Sequence, residues 1–116
     1  MAASDRQRLG AAGERLAARW YRRAGYEVVA ANWACAEGEI DLICRRGPLL
    51  VVCEVKARRS DRYGSAAEAV TPAKRRRLRR LAVRWLDHEE PRGVHEVRFD
   101  VATVTPDGLE VLESAF

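Results

Sequence analysis

The sequence predicts an α/β fold: a single domain in which a mixed five-stranded sheet is flanked by helices. The chain has 116 residues, which is close to the commonest size of one domain. Hydrophobic residues make up 47% of it and charged residues 33%, a globular composition. Helical and strand-like patterns follow one another in the order α-β-β-β-α-β-β, which is typical of a sheet covered by helices.

The first element is a predicted helix over residues 4–24. Gly25 fits the left-handed backbone position that commonly follows a helix end. Apolar or small residues recur at helical spacing, and we expect the face they form to be buried. That face carries Leu9, Gly13, Leu16 and Trp20.

Three strands are predicted next, over residues 26–30, 39–45 and 49–57. The second and third are joined by the short turn at residues 46–48, so they should form an antiparallel hairpin. Residues 49–53 are apolar at every position, which favours a central strand covered on both faces.

The second predicted helix starts at Thr71-Pro72, with threonine as the N-cap and proline at the first helical position. It should end near His88, before Pro91. Strands over residues 97–105 and 109–112 complete the sheet. The apolar stripe of the second helix consists of Leu78, Leu81, Ala82, Trp85 and Leu86.

Charge is distributed unevenly along the chain. The formal net charge is +4, but residues 1–86 hold 19 bases against nine acids (+10), and residues 87–116 hold two against eight (−6). Residues 69–86 contain seven bases and no acid. Such a stretch creates a positive field that suits phosphate backbones, or it is a solvated helix face; composition leaves both interpretations open.

Membrane and secreted classes are disfavoured. The longest uncharged run, residues 28–36, is far below the ~20 residues that a membrane helix needs. The first residues lead directly into charged sequence, without the apolar segment of a signal peptide. Cys35, Cys44 and Cys53 are odd in number and lack CxxC spacing, which argues against disulfides and zinc. We expect a cytoplasmic protein with no membrane partner.

The residues that point to chemistry are Asp41, Glu54 and Lys56. Side chains alternate along a strand, so Glu54 and Lys56 share a face. Pairing across the hairpin turn places Asp41 opposite Cys53 or Glu54. Charged groups at the end of an apolar strand are costly unless they are paired or bind something. Two converging carboxylates suit Mg²⁺, and the lysine would orient or deprotonate a water or neutralise phosphate charge.

The alternative is an internal salt bridge in which Lys56 neutralises Glu54 or Asp41. Short motifs recur by accident, and for an isolated match this alternative is the commoner one. The α/β context and the nearby basic helix favour a site.

The segments 38–43 (GEIDLI) and 52–58 (VCEVKAR) resemble the signature of the bacterial YraN-like family of uncharacterised proteins. Further similarities run along the chain, from Gly13-Glu14 to the terminal Ala115-Phe116. The resemblance implies a single restriction-endonuclease-like nuclease domain over residues 1–116. It places the chain in the PD-(D/E)XK superfamily, similar to archaeal Holliday junction resolvases. Ile40 stands where that pattern has its proline.

Under this resemblance, Asp41, Glu54 and Lys56 match the D, E and K of the motif, and Glu14 matches a helical glutamate that completes the metal site. The implied cofactor is Mg²⁺ or Mn²⁺. From the residues alone, Glu14 is equally well read as a surface ion-pair partner. Glu39 shares the Asp41 face and is a supporting residue, either a third acid or a group that orients Lys56.

Basic residues around the site are candidates for nucleic-acid binding. Lys74 continues the apolar stripe of its helix, so we expect it to point inward, toward a substrate phosphate. Arg75, Arg76, Arg79 and Arg80 should face outward. Tyr63 would stack on a splayed base. The candidates are Arg58, Arg59, Arg62, Tyr63, Lys74, Arg75, Arg76, Arg79 and Arg80.

The expected function is that of a metal-dependent endonuclease that hydrolyses DNA phosphodiesters, with branched or junction DNA as a candidate substrate. Two alternatives stay open: a nucleic-acid-binding module that keeps the nuclease fold without cleavage, and a structural protein whose basic helix docks an acidic partner. The resemblance also points to a homodimer, because resolvases cut two strands as two-fold dimers.

Overall fold

A computed structural model describes residues 5–58 and 70–116. Within these ranges the chain forms two helices and five strands in the predicted order. The elements are α1 (Asp5–Arg23), β1 (Glu27–Cys35), β2 (Gly38–Arg46), β3 (Leu49–Ala57), α2 (Pro72–Glu89), β4 (Glu96–Thr105) and β5 (Gly108–Leu112).

The five strands form one mixed sheet in the order β1-β2-β3-β4-β5. All neighbouring strands are antiparallel except β3 and β4, which run parallel and are connected through α2. β3 lies at the centre of the sheet, as its apolar run predicts, and its residues 50–54 are buried. The predicted fold class is confirmed.

The two helices cover opposite faces of the sheet. Alternate residues of β3 belong to different core clusters, because successive side chains of a strand point to opposite faces. Leu50 and Val52 pack in the cluster that contains Leu78 and Leu81 of α2. Val51 and Cys53 pack in the cluster that contains Ala17 and Tyr21 of α1.

Helix α2 begins and ends as the sequence predicts. Thr71 is its N-cap, and the Thr71 hydroxyl accepts a hydrogen bond of 3.2 Å from the Lys74 backbone N–H. Glu90 closes the helix in a left-handed conformation (φ 46°). Leu78, Leu81, Ala82 and Trp85 are buried, so the predicted stripe is the face that contacts the sheet. Neither described helix is long and apolar enough to cross a membrane.

The buried face of α1 differs from the predicted one. Leu16 is 38% exposed, whereas Gly13, Ala17 and Tyr21 are buried. The helix lies so close to the sheet that a Cβ atom added at Gly13 would stand 2.5 Å from Val104 Cγ1. Small residues therefore form the contact face. Gly13 lies on it as predicted and Trp20 packs at its margin, but the prediction was wrong for Leu16, which faces outward.

We expect Gly13→Ala to lower the free energy of unfolding by about 1–3 kcal/mol, because overpacking a stiff valine forces the backbone apart. Gly10→Ala is the matched control: no described atom lies within 4 Å of a Cβ added there. This control should instead stabilise α1 by up to about 1 kcal/mol through helix propensity. Urea denaturation of both variants measures the contrast, and equal shifts would contradict the close approach of α1.

Strand β1 is longer than predicted, since it continues through Cys35 instead of ending at residue 30. Its pairing with β2 shifts by one residue between Val28 and Ala30, and Asn32 adopts a left-handed conformation (φ 52°). The extension carries few strand-forming residues. It forms because the exposed backbone of β2 needs a hydrogen-bonding partner as far as Gly38, which pairs with Cys35.

Candidate active site

Asp41 lies where β2 and β3 begin to diverge. The regular pairing of the two strands reaches Leu42 and Cys53, whose numbers sum to 95, as the hairpin turn predicts. The next position of this register sets Asp41 beside Glu54. The Val55 backbone N–H donates a hydrogen bond of 2.8 Å to Asp41 Oδ2. The carboxylate thus holds the two strands together at this point.

Glu54 is the buried acid of the site, with only 5% of its surface exposed. It follows Leu50 and Val52 on the face that packs against α2. Two lysines neutralise it. The Lys74 ammonium forms an ion pair with Glu54 Oε1, and Lys56 Nζ lies 3.6 Å from the same oxygen. Lys74 is in the first turn of α2, so the N-terminus of that helix closes the site.

Glu14 approaches Asp41 from the other face of the sheet. It is half-buried on α1, directly after the close-packed Gly13. Its charge raises the pKa of Asp41, behind the larger contributions of burial and of Glu54. Asp41 therefore feels one carboxylate from the α2 side and another from the α1 side.

Crowding of acids governs the electrostatics of the site. Burial and the charge of Glu54 raise the pKa of Asp41 to about 7, although the Val55 N–H and the Lys74 charge lower it. An aspartate with such a pKa carries excess negative potential that a proton or a cation relieves. Asp41 and Glu54 thus repel each other, and the Val55 N–H and the Lys74 charge only partly offset this repulsion.

The surroundings shift the pKa values of Lys56 and Lys74 in opposite directions. Burial lowers the pKa of Lys56, and the neighbouring Lys74 ammonium lowers it further. Burial also lowers the pKa of Lys74, but its hydrogen bonds to Glu54 and Lys56 and the charges of Glu54 and Asp41 together outweigh that effect and raise the pKa overall. Lys74 is therefore the fixed cation of the site, and Lys56 is the amine nearer to giving up its proton.

The pKa of Asp41 predicts how stability depends on pH in the metal-free protein. Between about pH 4 and pH 7 the folded state keeps a proton that the unfolded state has lost, so the free energy of unfolding falls as pH rises. Asp41→Asn removes this slope and should stabilise the protein at pH 8, by on the order of 4 kcal/mol at most. Urea titrations of both proteins at pH 4.5 and pH 8 in EDTA measure it. An equal gain at both pH values would contradict the raised pKa.

The structure brings Asp41, Glu54 and Lys56 together and places Glu14 next to them. Glu39 is exposed near the start of β2, paired in register with Ala34. The Lys74 side chain points inward as expected. Its ammonium forms an ion pair with Glu54, a partner that was not predicted from the sequence. Its position in line with the stripe of Leu78 signalled the inward direction, whereas its partner depends on how α2 sits on the sheet.

The residues predicted to contact nucleic acid differ in their exposure, and some of them are not described by the structure. Arg59, Arg62 and Tyr63 lie outside the described residues. Arg58 is half-buried, and its backbone N–H donates to Val104 O at 2.8 Å. Arg76 and Arg80 are exposed, as predicted.

Arg75 does not simply face outward. It is half-buried, its Nε donates to Val70 O at 3.0 Å, and its guanidinium lies 5.4 Å from the centre of the Phe116 ring. Arg79 is exposed but also rests over aromatic rings, 5.7 Å from that of Phe99. These two arginines anchor the C-terminus, because Phe116 stacks on Phe99 beneath them.

Metal-ligating potential resides in the carboxylates. Among the residues that the structure describes, no group of three or more His, Cys, Asp and Glu side chains is arranged to hold a metal ion. Asp41 and Glu54 remain as a pair of hard oxygen donors. One or two protein carboxylates are the usual number for Mg²⁺, which keeps most of its waters.

Comparisons with known proteins identify the family. The model of the uncharacterised protein family UPF0102 matches residues 13–104. This range includes Glu14 and the carboxylate–lysine cluster, which consists of Asp41, Glu54, Lys56 and Lys74. A UPF0102 protein of Nocardia farcinica is 50% identical over 94% of this chain and 87% of its own length. One of Frankia alni is 46% identical, with the whole of both chains covered. One of Beutenbergia cavernae is 51% identical over 83% of this chain and 80% of its own. The chain therefore belongs to the YraN-like family UPF0102.

Proposed function

We propose that this protein is a metal-dependent endonuclease that hydrolyses DNA phosphodiesters, with branched or junction DNA as its preferred substrate. The observation that carries the proposal is the meeting of Asp41 and Glu54 at the end of a buried hairpin. Their charges are close enough to help raise the pKa of Asp41 to about 7. Lys56 Nζ stands 3.6 Å from Glu54. The set agrees with the D, E and K of the PD-(D/E)XK pattern that the sequence resembles.

The donor set fits Mg²⁺ or Mn²⁺, because hard carboxylate oxygens under mutual repulsion gain most from a divalent cation. Asp41 and Glu54 would hold the ion, and Glu14 would add negative charge from the α1 side. When bound, the ion would stabilise charge on the phosphate and increase the acidity of a water.

The lysines have separate tasks in this mechanism. Lys56 orients the attacking water and, as an ammonium, neutralises charge that grows on the phosphate. Only its neutral form, which the lowered pKa of the amine makes more accessible, takes up the proton of the water. Lys74 keeps its charge and holds Glu54 in place from α2. Positioning of this kind determines whether the water meets the phosphate in line.

Location and assembly follow from the proposed substrate. A DNA substrate places the protein in the cytoplasm. A homodimer would bring two sites to the two strands of a branched substrate, which one domain of 116 residues does not cover alone.

A nucleic-acid-binding module without cleavage is the second candidate. The ion pair between Lys74 and Glu54 favours it, since the carboxylate is already neutralised from within the chain. The two candidates differ in what a divalent ion does to the protein. A nuclease gains stability from the ion because the folded state binds it, whereas a binding module does not.

The decisive experiment is a cleavage assay on linear, flap and four-way DNA with Mg²⁺ and with Mn²⁺, next to thermal melts with and without each ion. We expect metal-dependent cuts and a higher melting temperature with metal. Neither effect with any divalent ion would leave the binding module as the function.

Binding to nucleic acid should weaken steeply with salt and depend little on base sequence. The acid-free stretch of residues 69–86 supports this, because cationic groups on phosphates release counterions. Titrating one duplex and one four-way junction at 50 and 200 mM salt tests it. Six or more phosphate contacts would lower the affinity about 10³-fold over that range. A flat response would exclude the basic surface as the binding site.

A further inference from the structure

A groove of about 750 Å³ runs between α1 and the β1–β2 edge of the sheet. Its apolar lining includes Val28, Ala31 and Leu42. The α1 side carries four exposed arginines, which the predicted nucleic-acid contacts did not include. They are Arg15, Arg19, Arg22 and Arg23.

The spacing of these arginines is unfavourable for an isolated helix. Arg15 and Arg19 are four residues apart, as are Arg19 and Arg23, so like charges face each other across successive turns. Each such pair destabilises a helix by a few tenths of a kcal/mol. Arg22 and Arg23 in the last turn also interact favourably with the C-terminal end of the helix dipole. Arg15 and Arg19 lie too far from that end to benefit.

The groove passes the α1 side of the candidate active site. Glu14, which acts electrostatically on Asp41, lines the groove. Asn32 lines it as well. Asn32 falls between the register pairs Ala31–Leu42 and Trp33–Ile40, which sets it across from Asp41 on the neighbouring strand. One end of the arginine row therefore leads to the carboxylates.

We propose that this groove binds one strand of nucleic acid, with its phosphates on Arg15, Arg19 and Arg22 and its path leading to Asp41. Charge complementarity identifies the occupant, because a row of cations along an apolar groove matches a chain of phosphates joined by less polar sugars and bases. The proposal rests on the proposed function, since it treats the strand as the substrate of Asp41 and Glu54.

The test is equilibrium binding of a fluorescein-labelled single-stranded DNA 20-mer of mixed sequence. Fluorescence anisotropy in EDTA measures the binding. Arg15→Ala/Arg19→Ala should weaken binding about tenfold or more, and each lost phosphate contact should reduce the slope of log affinity against log salt by about 1. Arg92→Ala is the control with an exposed arginine away from the groove. It should change the affinity less than twofold.

Melting temperatures separate a binding role from a structural one. Removing like-charged neighbours should leave the melting temperature of the double variant equal to or above that of the parent. Equal affinities of the double variant and Arg92→Ala would overturn the groove, as would a loss of affinity that merely follows a loss of fold. Binding in EDTA is measured without metal-dependent cleavage, so it is independent of the nuclease assay. If the groove binds the oligonucleotide in EDTA and the protein cleaves no DNA with Mg²⁺ or Mn²⁺, the proposed enzyme is rejected and the groove remains a binding site.

Discussion

Asp41→Asn and Glu54→Gln should each reduce Mg²⁺-dependent cleavage by at least about 10²–10³-fold. Both substitutions keep the shape of the side chain and remove the negative charge that would hold the metal. Asp41→Asn also keeps an oxygen that can accept the Val55 N–H bond, which in the parent measures 2.8 Å. The backbone of the hairpin therefore has no reason to move, and the loss reports on chemistry.

The melt with metal gives this prediction a second measurement. The parent should gain about 2.7 kcal/mol when Mg²⁺ is present at a hundred times its dissociation constant. Asp41→Asn should gain far less. Lys56→Ala should keep the gain and lose cleavage, because it removes the amine that serves the water and leaves both carboxylates.

Exposed acids provide the matched controls. Asp107→Asn and Glu110→Gln make the same chemical changes at the β4–β5 hairpin, away from the cluster. They should cleave like the parent. Unchanged cleavage by Asp41→Asn, at a melting temperature equal to or above that of the parent, would place the activity elsewhere.

The elements that the sequence predicts correctly are those with local signals. The Thr71 hydroxyl caps α2. The turn at Gly47 fixes the hairpin register that sets Asp41 beside Glu54. The meeting of Asp41, Glu54 and Lys56 could be predicted because it depends on this register and on strand alternation alone.

What the sequence does not predict depends on tertiary packing. The buried face of α1 is selected by the space above Val104, which admits Gly13 and turns Leu16 outward. The extension of β1 through Cys35 depends on the backbone needs of β2. The pairing of Lys74 with Glu54 requires the N-terminus of α2 to lie over the end of β3, a contact with no local signature.

Asp100 lies outside the site and is expected to have the largest effect on stability. Its side chain is fully buried, on the face of β4 opposite to Phe99 and Val101. The Tyr21 hydroxyl donates to it at 2.6 Å, Arg98 donates through two nitrogens at 2.9 Å each, and the Ser114 N–H donates at 3.0 Å. These bonds join α1, β4 and the C-terminal segment. Asp100 therefore holds together three parts of the chain that are distant in sequence.

The protonation states of this network are fixed by its surroundings. Burial raises the pKa of Tyr21 above its ordinary value, and the charge of Asp100 adds to this, so the hydroxyl stays a donor. The hydrogen bonds to Asp100 raise the pKa of Arg98. At neutral pH the Tyr21 hydroxyl therefore stays protonated and the Arg98 guanidinium stays charged when Asp100 is removed.

Asp100→Ala should therefore lower the free energy of unfolding by about 3–5 kcal/mol, because it removes the bidentate partner of a largely buried guanidinium and the acceptor of the buried Tyr21 hydroxyl. Tyr21→Phe removes one donor and should cost about 1–2 kcal/mol. Urea denaturation at pH 7 measures both. Arg98 supplies the control, since its second carboxylate partner, Glu113, is 51% exposed at 3.6 Å. Glu113→Ala should cost less than about 1 kcal/mol.

A double-mutant cycle tests whether the network acts as a unit. Once Asp100 is alanine, the Tyr21 hydroxyl has lost its acceptor, so Tyr21→Phe should cost almost nothing in that background. The coupling energy between the two positions should be about 1 kcal/mol or more. If Asp100→Ala and Glu113→Ala destabilise equally, burial of the carboxylate contributes nothing to the bond with Arg98, and the fold is held at this point by apolar packing alone.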